Sequence, residues 1–360
     1  MKNWTQKAVG LSSVALTFAA VVCVLGRMPK LQANDAAFAA AGFILPGGAA
    51  EAIKDKSDEQ FDKYLNEDEE DNQAEGNSSS AKSNPSSKAE SKDGQNKPAS
   101  SAAPKDSSLP SHIKEMKIPD SGIHYQNIWV KNLNKNHDIN VAEELKKRPA
   151  VKIIKNSSPQ VLIYHTHTTE AYLGDTRSRD NNKNMVAVGN KITEKLKSAG
   201  INTVHDTTCH DYPTYNGSYD RSKATIQKNL EKYPGIQVTL DIHRDAMSAS
   251  DGVKYKPTAV VNGKKAAQLM IVSGCDDDGT YGFPNWEYNL RLAIRLQKSL
   301  SDKYPGLARP LDFCARKYNE NMTKGSLLIE IGTEVNTLDE ALYTGELLGN
   351  SLVDVLNNLT

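Results

Sequence analysis

The sequence predicts an α/β fold with a mostly parallel sheet flanked by helices, preceded by a transmembrane helix and a disordered tether. Three observations predict it. Short apolar runs alternate with segments of helical periodicity over residues 112–360. Residues 8–26 are uncharged and mostly apolar. Between these regions lies a long polar stretch with almost no large apolar residue after Leu65.

Taken in chain order, residues 1–27 read as a short cytoplasmic tail and an anchor. Lys2 and Lys7 precede the apolar run and Arg27 follows it. A run of about 19 residues is near the ~20 that cross a bilayer as a helix. The alternative is a cleaved signal peptide, but the run is long for a signal core and only "LQANDA" offers a weak cleavage site. Basic residues at both ends make the orientation signal weak. A short tail inside and the bulk of the chain outside the membrane is the economical arrangement.

Residues 28–111 read as an extracytoplasmic linker. "AAFAAAGFILPGGAAEAI" suits an interfacial helix or a docking segment. The following Ser-, Lys-, Glu-, Asp-, Asn- and Pro-rich stretch buries too little to offset its ordering entropy. Such a spacer lets a tethered domain search tens of ångströms from the bilayer.

Residues 112–360 are long enough for one substantial core. "VLIYH" reads as a strand. "NKNMVAVGNKITEKLKSAG" reads as a helix with Met185, Val188, Ile192 and Leu196 on its apolar face and Gly200 as its stop. "INTVHDT" is a strand, and "NGSYDRSKATIQKNLEKYPG" is a helix that Ser218 could cap. "IQVTLDIH" is a strand. "VVNGKKAAQLMIVSG" is a hairpin turning at Asn262-Gly263, then a buried strand. "NWEYNLRLAIRLQKSLSDKYPG" is a helix, "GSLLIEIG" a strand, and "TLDEALYTGELLGNSLVDVLNNL" a closing helix.

Composition excludes several classes of function. The formal net charge is +0, so nothing points to nucleic acid or another strongly charged partner. The four cysteines, Cys23, Cys209, Cys275 and Cys314, are widely spaced and form no CxxC. That argues against a cysteine-based zinc knuckle, and the three beyond the anchor make no disulfide framework.

In parallel sheets, sites collect beyond the carboxyl ends of strands. Three strand ends carry unusual residues. "VLIYHTHTTEAY" gives His165, His167 and Glu170; "VTLDIHRDA" gives Asp241, His243, Arg244 and Asp245; "LLIEIG" holds Glu330 in an apolar run. On a turn, the HxxE spacing puts His167 and Glu170 on one side. With His243 as a third donor they make a zinc set whose fourth position stays open to water. Glu330 is then the carboxylate beside that water, taking its proton and passing it to a leaving amine. The plain alternatives are a hydrogen-bonding histidine at a strand end and a salt-bridged Glu330. Arg244 and Arg221 are candidates to grip peptide carboxylates. Tyr215, in the Tyr-rich "YPTYNGSYDRS", is a candidate groove residue. Arg177 and Arg179 read as surface arginines.

These residues carry a resemblance to known families. "THTTE" after a buried strand resembles the HxxE loop of zinc carboxypeptidases and of aspartoacylase-like enzymes. The late His and the Glu of "LLIEIG" resemble zinc-dependent N-acetylmuramoyl-L-alanine amidases. "YHTHTTEAY", "HDYPTYNGSYDRS", "DIHRDA", "NWEYNLRLAIRLQKSLSDKYPGLARP" and "GSLLIEIG" together resemble the stage II sporulation protein P family over most of residues 115–360. The resemblance implies a fold like the zinc amidases and carboxypeptidases, and a membrane-anchored, zinc-dependent peptidoglycan hydrolase. Its activities would be amidase and endopeptidase, acting in engulfment during endospore formation. It implies stage II sporulation proteins D and M as partners, and a catalytic domain on the mother-cell side of the sporulation septum.

The resemblance does not separate His165 from His167. The HxxE spacing favours His167, with His165 supporting a ligand, touching substrate or taking the ligand's place. Two other readings remain. His165 and His167 could start a binuclear amidohydrolase site, though few histidines follow. The chain could also be a non-catalytic, membrane-tethered wall-binding scaffold.

Overall fold

The computed structural model describes residues 109–359. The expected anchor, and all but the last three residues of the expected linker, lie outside the described residues. Among the described residues no helix is long and apolar enough to cross a membrane.

Among the described residues, eleven strands and five α-helices follow in order: β1 (Ile113–Met116), β2 (Ile123–Tyr125), β3 (Ile128–Asn132), α1 (Val141–Lys146), β4 (Val161–Tyr164), α2 (Met185–Ser198), β5 (Thr203–His205), α3 (Ser218–Lys232), β6 (Val238–Asp245), β7 (Lys254–Val261), β8 (Lys264–Ala267), β9 (Leu269–Gly274), α4 (Trp286–Lys303), β10 (Leu311–Cys314), β11 (Ser326–Thr333) and α5 (Leu338–Asn357). The main sheet has eight strands in the order β2-β3-β10-β9-β11-β6-β4-β5, and β1-β7-β8 form a small second sheet.

The expectation of a mostly parallel sheet needs correction, because the sheet is mixed. β11, β6, β4 and β5 form one parallel block, and β9, β10 and β3 form another. The blocks meet antiparallel at β9–β11, and β2 is antiparallel to β3. The reason lies in the connections. A parallel neighbour needs a crossover, usually helical. Between β6 and β9 the chain makes the β7–β8 hairpin and no helix. The hairpin turns at Asn262 and Gly263, both at positive φ, as the Asn-Gly pair predicts.

Strand periodicity sorts the two faces of the main sheet. Val161, Ile163, Ile242, Ile329 and Ile331 join the large core with α2, α4 and α5. Leu162 and Tyr164 point the other way, where Ile226 of α3 covers them. That face is the more thinly covered one. By the same alternation it receives Asp241, His243 and Glu330.

The expected helices form close to their predicted limits. Asn184 caps α2, accepting from the Val186 N–H at 3.0 Å, and Met185, Val188, Ile192 and Leu196 are buried as predicted. The expected Ser218 cap does not form: Gly217 occupies the cap position, and the Ser218 hydroxyl donates to the Tyr215 carbonyl. A reciprocal Thr337–Glu340 capping box starts α5. α5 lies close against α2 through Gly345 and Gly349. A Cβ at Gly345 would stand 3.2 Å from the Val188 carbonyl oxygen, and one at Gly349 would stand 2.8 Å from Lys195 Cβ.

Candidate active site

β4, β6 and β11 are adjacent and parallel, so their carboxyl ends share one edge of the sheet. His243 pairs in register with Glu330 across β6–β11. The chain leaving β4 turns at once: the Glu170 N–H donates to the His167 carbonyl at 3.2 Å, which brings both side chains to one side. The structure therefore gathers His167, Glu170, His243 and Glu330 at this edge.

Two buried carboxylates hold the turn. Asp241 accepts from the Thr166 N–H at 2.8 Å and the Thr166 hydroxyl at 2.6 Å. Asp211 accepts from the Thr169 N–H at 3.1 Å, the Thr169 hydroxyl at 2.8 Å and Arg177 Nη2 at 2.9 Å. Both acids sit in quoted motifs, but their contacts are long-range and no local spacing reveals them.

His243 lies between carboxylates. Its Nδ1 is 3.5 Å from Glu170 Oε2. Its Nε2 is 2.8 Å from Asp241 Oδ1, yet the angle falls short of a hydrogen bond. Burial opposes charge on this ring, but Asp241 and Glu170 outweigh it and hold its pKa well above the ordinary imidazole value. The pocket thus favours positive charge. His167 is buried, and its Nδ1 has no hydrogen-bond partner. Burial, helped by His243 and resisted by Glu170, lowers its pKa to about 4, so the ring is neutral and keeps a lone pair to offer. Burial would raise Glu170, but the approach of His243 and the charge of Arg244 carry it down to about 2. The two histidine rings are perpendicular with centroids 5.2 Å apart.

Two imidazoles, one carboxylate, a buried nitrogen without a partner and a charge-favouring pocket fit a zinc set. The donors are not drawn as tightly together as around a bound ion. Among the described residues, the one trio of donors lying within 4.8 Å of one another is His137, Cys275 and Asp277, elsewhere in the fold.

Glu330 is half-buried, with Oε2 sealed from solvent and without a hydrogen-bond partner. Burial, reinforced by Asp245 and opposed by His243 and Arg309, raises its pKa to about 8. Arg309 pairs with Asp245 at 2.7 Å.

His165 faces the opposite side of the sheet. Its Nδ1 meets the Ile242 carbonyl at 2.9 Å and its Nε2 meets His205 Nε2 at 2.9 Å. Both ring nitrogens are committed, which leaves no lone pair for a metal. The expected substrate arginines are also committed. Arg244 donates to the Ala171 carbonyl at 3.1 Å and the Thr176 carbonyl at 3.0 Å, while its backbone N–H donates to Glu170 Oε2 at 3.2 Å. Arg221 donates to the carbonyls of His210, Thr214 and Asn216. Each ties a loop. Arg177, expected on the surface, is a half-buried strut to Asp211. Tyr215 stacks flat on His167, centroids 4.2 Å apart, and Tyr219 meets the same ring edge-on at 5.6 Å. Tyr318 packs 5.6 Å from Tyr219 and extends the aromatic wall. Tyr219 and Tyr318 were not picked out from the sequence.

The family model for stage II sporulation protein P (SpoIIP) matches residues 43–352. The stage II sporulation protein P of Bacillus subtilis (strain 168) is 31% identical over 217 residues, which are 55% of this chain and 50% of that protein. The chain thus spans about half the length of the curated relative it matches. Among solved structures, the N-acetylmuramoyl-L-alanine amidase AmiC2 of Nostoc punctiforme aligns with a TM-score of 0.36 and 12% identity, covering 57% of this chain and 97% of that one. The CwlD amidase from Clostridioides difficile in complex with the GerS lipoprotein aligns with a TM-score of 0.34 and 13% identity, covering 56% and 98%. Likenesses this weak carry no argument about activity. The family match extends over most of the chain: this protein belongs to the stage II sporulation protein P family.

Proposed function

We propose that the chain is a zinc-dependent peptidoglycan hydrolase that cuts amide bonds, with N-acetylmuramoyl-L-alanine amidase action and a second, endopeptidase action on stem peptides. The carrying observation is the convergence of His167, Glu170 and His243 at one sheet edge, with the unpaired Glu330 Oε2 beside them. His167, Glu170 and His243 would hold the metal. When bound, zinc supplies Lewis acidity and lowers the pKa of a water at its open position.

The chain's own groups do the rest. Asp241 and Asp211 fix the HxxE turn, so the ligands need little reordering. Glu330 accepts a proton from the attacking water and returns it to the leaving amine. A carboxyl that binds its proton near neutral pH can do both. The stacked Tyr215 fixes the His167 plane and, with Tyr219, shields it from water. Residues 1–27 would anchor the protein in the cell membrane, and residues 28–111 would tether the domain outside it. On the family resemblance, the site is the mother-cell side of the septum and the partners are stage II sporulation proteins D and M.

The test is digestion of purified sacculi, with mass spectrometry of the released fragments. The wild type should release stem peptides with a free alanine amine. Glu330→Gln should keep its zinc and its thermal midpoint while turnover falls ~10²–10⁴-fold, as expected on losing general acid–base help. A stable, zinc-loaded and fully active Glu330→Gln would overturn the mechanism.

A further inference from the structure

The second parallel block has its own carboxyl-end edge. Because β9 and β11 are antiparallel, that edge lies at the other end of the sheet from Glu330 and His243. Two loops meet there, one leaving β3 and one leaving β9. They bring together His137, Cys275 and Asp277, whose donor atoms all lie within 4.8 Å of one another.

We propose that His137, Cys275 and Asp277 form a second metal site, which takes one zinc ion and clips the β3 and β9 loops together. A tetrahedral ion with bonds of ~2.0–2.3 Å holds its donors ~3.3–3.8 Å apart, so small side-chain rotations close the site. A donor set of one thiolate, one imidazole and one carboxylate selects zinc over magnesium or calcium, which take oxygen donors.

Each donor already has a hydrogen-bond partner. His137 Nε2 lies 3.2 Å from the Asp276 carbonyl; as a donor to that oxygen it leaves the other ring nitrogen with a lone pair. Trp286 packs on the same ring at 4.7 Å. Asp277 Oδ1 accepts from the Asn136 N–H at 3.0 Å, and its Oδ2 accepts from the Lys135 N–H at 3.2 Å and from Asn136 Nδ2 at 3.4 Å. Oδ1 keeps a further acceptor position for a metal. Cys275 is fully buried, and its thiol donates to Asn134 Oδ1 at 2.9 Å. Binding releases that thiol proton to solvent as the sulfur–metal bond forms.

A nucleophilic Cys–His–Asp reading fits less well. The thiol is sealed from solvent and points at an asparagine oxygen, not at the imidazole.

The test replaces zinc with cobalt(II) in the full chain, purified in detergent. A thiolate ligand gives a near-ultraviolet sulfur-to-cobalt charge-transfer band, which the cysteine-free set at His167, Glu170 and His243 cannot produce. The band should appear in the wild type and in His243→Ala. It should vanish in Cys275→Ser and weaken in Asp277→Asn and His137→Gln. Zinc content should fall by one ion per chain in Cys275→Ser, with sacculus digestion retained. A chelator should lower the thermal midpoint of His243→Ala but not that of Cys275→Ser carrying the same His243→Ala change. A wild type without the band, or a band that survives Cys275→Ser, overturns the proposal. Should Cys275→Ser fail to fold, the milder Asp277→Asn and His137→Gln decide it: an unchanged band in both overturns the site. Failure of the proposed catalytic zinc would appear separately, as one ion per chain that His243→Ala leaves in place.

Discussion

Asp211 is the most informative residue to remove, because it holds the HxxE turn without being a candidate ligand. Its side chain is fully buried and accepts from the Thr169 N–H, the Thr169 hydroxyl and Arg177. Alanine there takes the acceptor from the Thr169 N–H, the Thr169 hydroxyl and the Cys209 thiol, while Arg177 Nη2 keeps the Asp211 backbone carbonyl at 3.2 Å. Each bond to a charged acceptor contributes about 1.5–3 kcal/mol. The Arg177 side chain is 24% exposed and can rehydrate, so its share is discounted. The expected loss is about 3–5 kcal/mol, or a fall of ~6–20 °C in thermal midpoint for a domain of this size. Asp211→Asn keeps one acceptor oxygen but turns an amine toward Arg177, and should lose about 1–3 kcal/mol. Circular dichroism of Asp211→Ala, Arg177→Ala and the double variant would measure the coupling. It should reach about 1–3 kcal/mol if the carboxylate and the guanidinium act on each other. Zinc affinity should drop in Asp211→Ala even below the midpoint, since the freed turn carries His167 and Glu170. A loss under ~1 kcal/mol with zinc affinity intact would refute the idea that this carboxylate organises the site.

Three further outcomes follow from the same geometry. His243→Ala should remove the proposed catalytic zinc while the domain stays folded; metal analysis with one ion retained in the HxxE set would sink that assignment. Arg244→Ala should lower the thermal midpoint and kcat with KM little changed, because the guanidinium ties the Glu170 loop, and a rise in KM alone would instead mean it grips substrate. Burial, with His165 beside it, lowers the His205 pKa from 6.5 to about 3, so the folded state holds the ring neutral where the unfolded chain takes a proton. The resulting stability is complete above pH 6.5 and is lost as pH falls toward 3; His205→Gln should flatten that slope, and parallel slopes would contradict it.

Much of this arrangement was legible in the sequence where the signal was local. β4, α2, β6, α4, β11 and α5 follow from periodicity, caps and turn residues. The HxxE pair, His243 and Glu330 stood out as polar residues at the ends of apolar runs. β1, β2, β3 and β10 did not, since they are three to five residues long and owe their form to distant partners. β1 pairs with β7, and β3 with β10, and periodicity says nothing about either match. The reversal between β9 and β11 was implicit in the missing helix between β6 and β9, yet alternation elsewhere suggested one direction throughout. His165 and His167 could be separated only by parity: two residues apart, they would share a face on a strand, but the chain turns after His165. The partners of the arginines were not legible, because nothing in a sequence says which backbone carbonyls a guanidinium will meet.

The close approach of α5 to α2 gives the far end of the chain a hold on the site. α2 begins where the Met185 N–H donates to the Glu170 carbonyl at 3.1 Å, and its Gly189 leaves no room for a Cβ against His205 and His165. Bulk added at Gly345 or Gly349 would push α2 along this path. In a mutational scan scored on the proposed wall digestion, those two glycines would register as sensitive positions although they pack against α2 and not in the HxxE turn. Library designs that restrict diversity to residues near the HxxE turn would miss them.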